Sequence, residues 1–441
     1  MTIRFALAFA LVVSLAGCNS MLDQDPIDRL PDSDAITNAR GARAALVGAY
    51  NALESSGYYG EEFTELGDLP ADNADHTGTS QAYDDADANQ FRADNASAQS
   101  IWNTIYDAIN RVNVILERVP AVTDLDDTEK NQILGEAHFL RALHYHNLVK
   151  LYGDVPIRLT PVKDVNEAGS AVRSPVADVY TQILADLSDA GTLITSTAPT
   201  TQATVDAVNA LLARVRLYQQ DYAAAVTAAD AVIPNHSLAA SYSDLFDAEG
   251  QDTPEDIFKV TFTAVQFNWL GYDYITETDG GNGAVAPAQN LIDAYDPTDA
   301  RLAWNITFDS DGAPSGTKWP TTFGAEDLHV IRLAEVLLIK AEALARQSDL
   351  QGAVDTYNLI RERAGLADHV LGVDVTTQAD VLAAIDRERR LELAFEGDRW
   401  PDLVRTGQAV TVLGIPEFQT LFPIPQSERD VSPGVTQNPG Y

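Results

Sequence analysis

The feature that most limits how this chain can fold is the spacing of its apolar residues. Between 101 and 116, isoleucine, valine and leucine recur at steps of three and four residues. Such spacing gathers them on one face of an amphipathic helix. The protein is therefore predicted to be all-α in the main. Further helices are predicted over 34–53, 127–152, 205–219, 221–232, 328–347 and 349–364, with another that begins at 175.

Short turns join some of these helices into pairs. The helix over 205–219 is followed at once by that over 221–232, and 328–347 by 349–364. Both pairs carry alanines where helices must approach closely, as tetratricopeptide units do, although no strict 34-residue period is present. One pair cannot bury its apolar face alone, whereas stacked pairs share a core and form a curved scaffold.

The helical pattern stops between about 234 and 326, and this insertion holds the best candidates for ligand binding. Flat rings bind the apolar C–H face of a sugar at little entropic cost, and neighbouring amides and carboxylates can bind its hydroxyls. The polar stretch 68–95 offers weaker candidates of the same kind. Alternatively, the rings form the insertion's own small core. The candidates are Trp269, Tyr272, Tyr274, Trp304, Trp319 and Asn268 in the insertion, and Asp72, Asn73 and Tyr83 in the polar stretch.

The net charge limits which partners are possible. The chain carries a formal charge of −36, and most of its few cations are arginines. Such a surface repels nucleic-acid phosphates and anionic lipid headgroups, so neither is expected as a partner. An acidic, lysine-poor surface also suits a protein that must stay soluble in high salt, where screening weakens self-repulsion. We therefore hypothesise a halophilic source.

The single cysteine, Cys18, follows directly after an apolar run over 5–16. The run is too short to span a bilayer and is typical of a secretory signal peptide. Leu15 to Cys18 resembles a bacterial lipobox, which implies that Cys18 becomes the acylated first residue of the mature protein. The expected organisation is a signal peptide over 1–17, a lipidated tether over 18–32 and one domain over 33–441. The lipid is then the only expected membrane anchor.

Residues with metal-binding or catalytic chemistry do not form a recognisable motif. His138, His144 and His146 are off-register for one helix face, so we interpret them as ordinary helix histidines. The acidic run Asp84 to Asp87 lacks the glycine and terminal glutamate of a calcium loop. No metal, cofactor or catalytic residue is therefore predicted. Carboxylates alone would still permit a surface-anchored glycoside hydrolase, and helical repeats would permit a peptide-binding scaffold.

A dense charged stretch lies near the end of the chain. Over 387–396, arginines and glutamates lie one helical turn apart, a spacing that allows ion pairs. Gly397 can take the left-handed conformation that ends a helix, and Asp398 can cap the next helix. The charges form either a buried network between two helices or a solvated helix face.

This stretch resembles the C-terminal signature of the SusD/RagB family of surface lipoproteins. Other signatures agree and follow in family order, at 136–156, 331–345, 421–428 and 436–441. The resemblance implies a right-handed superhelix of helix pairs with an irregular C-terminal part. It also implies a non-catalytic protein, lipid-anchored on the outer face of the outer membrane. Such a protein would bind an oligosaccharide or another nutrient and pass it to a SusC-like TonB-dependent transporter.

Overall fold

Long helices form the frame of the protein. The computed structural model describes residues 36–246, 252–263 and 265–441. Its longer helices are α1 (Ala39–Tyr50), α2 (Ala96–Arg118), α3 (Asp127–Tyr152), α4 (Val176–Leu193), α5 (Val205–Tyr218), α6 (Tyr222–Val232), α7 (Leu333–Arg346), α8 (Leu350–Arg363) and α9 (Gln378–Glu392). Shorter helices span Glu62–Glu65, Gln81–Asp87, Val165–Gly169, Leu270–Tyr274, Gln289–Ile292, Leu302–Asn305, Arg399–Arg405, Ala409–Leu413 and Gln426–Val431.

These helices pack as the predicted pairs. Helix α5 packs on α6 and α7 on α8, while α6 also contacts α7, so the two pairs are stacked. Ala225, Ala228 and Ala229 are buried on α6, where larger side chains would hold the helices apart. Pairs formed by α1 with α2 and α3 with α4 extend the stack. The prediction of an all-α fold is confirmed.

Three short antiparallel ladders stand beside the helices. They pair β1 with β3, β2 with β6 and β4 with β5. The strands are β1 (Ala74–His76), β2 (Asp256–Val260), β3 (Val285–Pro287), β4 (Ile306–Phe308), β5 (Pro314–Gly316) and β6 (Leu328–Arg332). The β1–β3 ladder joins the polar stretch 68–95 to the insertion, with Ala74 opposite Pro287 and His76 opposite Val285.

Strand β6 corrects the prediction that a helix begins at 328. All five of its residues are buried, and Leu328 pairs with Val260 of β2. In the sequence, the apolar residues Leu328, Val330 and Ile331 lead directly into those of the helix that follows. The pattern of apolar residues therefore shows no boundary between strand and helix. The β-branched Val330 and Ile331 suit a strand, and the backbone of β2 supplies its hydrogen bonds. Helix α7 begins only after the extended Arg332.

Several helix caps also differ from those predicted. Asn38 accepts from the N–H of Gly41 and caps α1, so this helix begins later than predicted; Ser33, the predicted cap, lies outside the described residues. Asp126 rather than Asp127 caps α3. The predicted bounds of α3 are nevertheless confirmed. Capping depends on backbone angles just outside the helix, which apolar spacing does not reveal.

The charged stretch is a buried network, which we call the charge cluster. Arg332 lies 2.8 Å from Glu255 and 2.5 Å from Glu392, and Arg301 lies 2.9 Å from Glu388. Although burial raises it, the neighbouring Arg332 and Lys318 lower the pKa of Glu396 to about 2. The cluster comprises Glu255, Arg301, Lys318, Arg332, Arg363, Glu388, Glu392 and Glu396. It fastens the insertion, strand β6 and α8 to α9.

The helix after the cluster starts differently from the prediction. Gly397 has the predicted left-handed conformation, with a φ of +73°, but α9 already ends at Glu392, so this glycine turns the segment between two helices and does not end one. Asp398 pairs with Arg389 at 2.5 Å instead of capping the next helix. Across the described residues, none of the helices combines the length and hydropathy that a membrane crossing requires.

Candidate functional site

Four aromatic rings of the insertion meet at the surface and form what we call the aromatic platform. They belong to Phe267, Trp269, Tyr272 and Phe323. Phe267 lies 4.6 Å from Trp269, and Tyr272 stacks on Phe323 at 5.0 Å between ring centroids. Phe323 is 53% exposed, and the other three are half-buried. Exposed rings grouped in this way provide flat apolar faces on which a sugar ring can stack.

Local backbone contacts hold the platform together. The N–H of Trp269 donates to the carbonyl of Gly60, and that of Asn268 donates to the carbonyl of Gly324. Gly271 permits the close approach of the segment that carries Phe323. A Cβ added there would lie 1.9 Å from the carbonyl oxygen of Thr321. The rings are therefore positioned by backbone contacts between segments that are far apart in the sequence.

A polar cleft of about 510 Å³ lies beside the platform. Asp273, one residue after Tyr272 of the platform, lines its wall. Hydroxyl, amide and carboxyl groups line most of it, which is the chemistry that recognises sugar hydroxyls. The lining residues are Glu61, Glu62, His76, Thr77, Gly78, Thr79, Ser80, Ala82, Tyr83, Ala96, Ser97, Asp273, Glu277, Asn282 and Ala284.

The β1–β3 ladder forms this cleft by joining two segments that are distant in sequence. Beyond the ladder, the N–H of Thr77 donates to the carbonyl of Ala284 at 2.9 Å. The polar stretch 68–95 and the insertion therefore each contribute a wall, and Glu61, Glu62, Ala96 and Ser97 complete the lining. Both regions were predicted to contribute to binding, and the structure places them next to each other.

The inner end of the cleft is acidic. Burial, with the nearby Asp273 and Glu62, raises the pKa of Glu61 to about 8. Burial also raises the pKa of Glu65 well above its ordinary value, and the Tyr83 hydroxyl donates a hydrogen bond to this carboxylate. The pKa of Asp273 is raised for the same reason, against a hydrogen bond from Asn282. Protons are therefore held here at pH values where exposed carboxylates have lost them.

The structure separates the predicted site residues of the insertion into two groups. Trp269 and Tyr272 lie in the platform. Tyr274 and Trp319 are 0% and 1% exposed and belong to the core, and Asn268 is buried with its side chain accepting from the N–H of Leu270. These three cannot reach a ligand at the surface in this conformation.

Trp304 lies apart from both the platform and the cleft. It is half-buried and packs against a small cluster of Ala239, Tyr242, Leu245 and Phe246. This contact matches the alternative interpretation, in which some rings of the insertion form a core of their own.

The predicted residues of the polar stretch 68–95 are also divided. Tyr83 lines the cleft. Asp72 pairs with Arg399 at 2.6 Å and with Arg390 at 3.3 Å. Asn73 donates to Asp68 and accepts from Arg390. Asp72 and Asn73 thus attach the stretch to α9 and the helix after it, and ligand contact by any of the predicted residues stays a prediction.

Phe323 and Glu61 belong to the site but were not among the predicted residues. Phe323 lies in the segment Thr322-Phe-Gly324, which has neither helical nor alternating spacing. Glu61 follows Gly60 in a run of turns. The only signal for Phe323 was that an isolated phenylalanine stands between a threonine and a glycine in an otherwise polar loop. No signal in the sequence pointed to Glu61.

A second cleft, of about 530 Å³, runs along α2. Its aromatic lining consists of Trp102, which is 1% exposed, and Tyr106, whose hydroxyl donates to the carbonyl of Pro156. Tyr106 is thus the one half-buried ring among the residues lining this cleft, whereas the platform groups four rings. The platform with its polar cleft is therefore the stronger candidate site.

Comparison with known proteins agrees with the resemblance in the signatures. Residues 26–217 match the family described as "Starch-binding associating with outer membrane", and residues 306–419 match the SusD family. The chain is 28% identical to SusD-like protein P2 of Formosa agariphila over 98% of both chains. It is 25% identical to the starch-binding protein SusD of Bacteroides thetaiotaomicron over 76% of each.

Solved structures share the fold. A SusD superfamily protein from Bacteroides vulgatus, 22% identical, matches with a TM-score of 0.83 over 91% of this chain and 99% of its own. A laminarin-binding SusD-like protein, 25% identical, matches with a TM-score of 0.80 over 92% of this chain and 100% of its own. With its signatures, its helical frame and these relatives, the chain belongs to the SusD/RagB family.

Proposed function

We propose that this protein is a non-catalytic binding protein for a neutral glycan. The observation that carries the proposal is the aromatic platform beside a cleft lined by hydroxyl, amide and carboxyl groups. Stacking on Trp269, Tyr272 and Phe323 would bind the apolar faces of sugar rings, and the cleft would bind their hydroxyls. The starch-binding and laminarin-binding relatives support a glucan as the ligand.

The charge of the protein favours a neutral ligand over an acidic one. The net charge is −36, and the inner end of the cleft holds three carboxyl groups without an arginine or lysine among the lining residues. A sulfated or uronic-acid glycan would meet repulsion from the net charge at a distance, and the cleft offers no lysine or arginine to pair with its anionic groups. A peptide would need an exposed strand edge or an apolar groove, and the platform is neither.

The proposal extends to delivery. The matching family is described as associating with the outer membrane. We expect the protein to be anchored by lipid at Cys18, outside the described residues, on the exterior face of that membrane. There it would hold the glycan over a SusC-like TonB-dependent transporter. The support for this step is the family membership together with the apolar run that precedes the only cysteine.

Replacing Trp269 by alanine tests the binding proposal. We expect about fivefold weaker binding of laminarin or starch oligosaccharides by isothermal titration calorimetry, because one stacked ring contributes about 1 kcal/mol. The free energy of unfolding should change little, since Trp269 is only half-buried.

The matched control is Phe308→Ala, which removes an exposed ring of strand β4 outside the platform. It should bind like the unmodified protein. Equal affinity of the Trp269 variant and the control would contradict the proposed site. Steady release of shorter sugars from any glycan in the panel would contradict the non-catalytic role.

A further inference from the structure

Three carboxylates converge at the inner end of the polar cleft. Glu61 directly precedes the short helix Glu62–Glu65, Glu65 is its last residue, and Asp273 lies on the short helix Leu270–Tyr274. One oxygen of each lies within 4.8 Å of the corresponding oxygens of the other two. Two ligands of one calcium ion can be at most roughly 5 Å apart, because each Ca–O distance is about 2.3–2.6 Å. Even at that upper limit, an ion equidistant from the three oxygens would lie about 2.8 Å from each, so a shift of a few tenths of an ångström brings all three to ligand distance.

The charge of this group is not balanced by protein cations. Glu65 is 0% exposed and Asp273 is 5% exposed. Among the described residues, no arginine, lysine or histidine forms an ion pair with Glu61, Glu65 or Asp273. In the charge cluster, by contrast, Glu392 contacts three arginines. Buried carboxylates without a cation must be neutralised in another way, by protons or by a metal ion.

An unsatisfied oxygen in the same group points to a bound cation. Oε2 of Glu65 accepts from the Tyr83 hydroxyl, whereas Oε1 is buried and has no N–H or hydroxyl donor. The remaining hydrogen bond of Glu65 is to the Asp273 carboxyl, and it requires a proton on one of the two acids. The hydroxyl of Tyr274, on the same short helix as Asp273, is also buried without a partner. A buried carboxylate oxygen that lacks a donor is costly, and a metal ligand bond would satisfy it.

We propose that Glu61, Glu65 and Asp273 bind a hard divalent cation of the calcium class at the inner end of the polar cleft. All three donors are carboxylates, which favours such a cation over zinc or copper. Glu61 is half-buried and faces the cleft, so the remaining ligand positions are open to water or to the hydroxyl groups of a ligand. The ion would also join the loop before Glu62–Glu65 to the insertion that carries the platform.

A second acidic group, His138 with Asp186 and Asp189, does not support the same proposal. Asp186 already accepts from Arg141 at 2.7 and 3.0 Å and from Gln182. Its charge and its lone pairs are satisfied by protein groups. The contrast shows why the carboxylates of the cleft are the better candidate.

Calcium titration of the full chain tests the proposal without any sugar. We expect calorimetry to show one ion bound per chain at pH 7, with a rise in melting temperature. Binding must also release protons, because burial raises the pKa of Glu61 to about 8 and those of Glu65 and Asp273 above their ordinary values. The binding heat should therefore differ between two buffers with different ionisation enthalpies.

Variants separate this site from general binding to an acidic surface. Glu61→Gln and Asp273→Asn should each weaken calcium binding at least about tenfold, whereas Asp311→Asn, on an exposed loop, should not change it. Binding heats that are absent below about 10 mM calcium in the unmodified protein would overturn the proposal, as would equal binding by all variants.

A pH series without calcium shows that the Glu61→Gln variant is folded and tests the local charge. A raised carboxyl pKa means that the folded state binds more protons than the unfolded state between about pH 4 and pH 8, so stability from this group falls as pH rises. Glutamine removes that loss, so the variant should exceed the unmodified protein in melting temperature by more at pH 8 than at pH 5. A constant difference would contradict the buried acidic site. Neither measurement contains sugar, so an absence of calcium binding would contradict the cation site and not the proposed glycan binding.

Discussion

At the scale of single residues, the same side chain has different roles according to its surroundings. Trp269 lies in the aromatic platform, whereas Trp319 is buried beside Phe246 at 6.1 Å between rings. Truncating a buried tryptophan leaves a cavity and costs about 3–5 kcal/mol. Replacing both together would therefore confuse loss of binding with loss of folding. Only the replacement of Trp269 reports on the ligand.

Arg399 connects the polar stretch to the C-terminal helices. It lies 2.6 Å from Asp72 and 3.0 Å from Asp386, and its side chain is 6% exposed. We expect Arg399→Ala to lower the free energy of unfolding by roughly 2 kcal/mol, because the half-buried Asp386 loses its cation and Asp72 keeps only Arg390. Urea unfolding followed by circular dichroism would measure this, while sugar affinity of the folded fraction should stay the same.

Arg43→Ala is the control for this prediction. Arg43 also forms an ion pair, with Glu129 at 2.5 Å, but its side chain is 57% exposed. Its replacement should leave the urea midpoint unchanged, because exposed ion pairs are screened by solvent. If the two variants lost equal stability, burial would not be the reason for the importance of Arg399.

Predictions for single residues succeeded where both the residue type and its place in a helical pattern indicate burial. Ile101, Ile105 and Ile109 lie on the predicted apolar face of α2 and are buried, as expected. In the insertion, the sequence could nominate rings but could not separate Trp269 from Trp319. That distinction depends on which backbone segment covers each ring, and no periodic pattern records it.

At the scale of elements, the close packing of the short helix Leu270–Tyr274 decides the shape of the platform. Gly271→Ala would place a methyl group 1.9 Å from the carbonyl oxygen of Thr321, so one backbone must move. We expect the shift to separate Tyr272 from Phe323 and to weaken glycan binding at least about tenfold. Calorimetry with the same oligosaccharides would show it.

Gly48→Ala is the matched control. Gly48 lies inside α1, and a Cβ added there meets no atom within 4 Å. Alanine should stabilise this helix by about 1 kcal/mol and leave sugar binding unchanged. Unaltered affinity in the Gly271 variant would mean that the platform does not need this contact.

Long helices were predictable from apolar spacing, as α2 and α3 show. The segment over 328–332 was not, because its pairing partner lies about 70 residues earlier, at Asp256–Val260. The β1–β3 ladder was equally hidden, since each strand has three residues and no alternating pattern. Short strands depend on tertiary partners, and local sequence contains little information about them.

At the scale of the whole molecule, the net charge of −36 should make stability depend on salt. Self-repulsion acts against the compact state, and the screening length shortens from about 10 Å at 0.1 M to about 3 Å at 1 M salt. We expect the melting temperature to rise as sodium chloride increases over this range. An equal melting temperature in dilute buffer and in molar salt would contradict the hypothesis of a halophilic source.

The β1–β3 ladder has a consequence for engineering the protein. Both walls of the cleft leave the helical frame and return to it, so each could be exchanged for a loop from a relative. They are not independent modules, however, because Asn73 and Ala288 as well as Thr77 and Ala284 share backbone hydrogen bonds across the junction. Retargeting this protein to another sugar would therefore require grafting the two loops as a matched set.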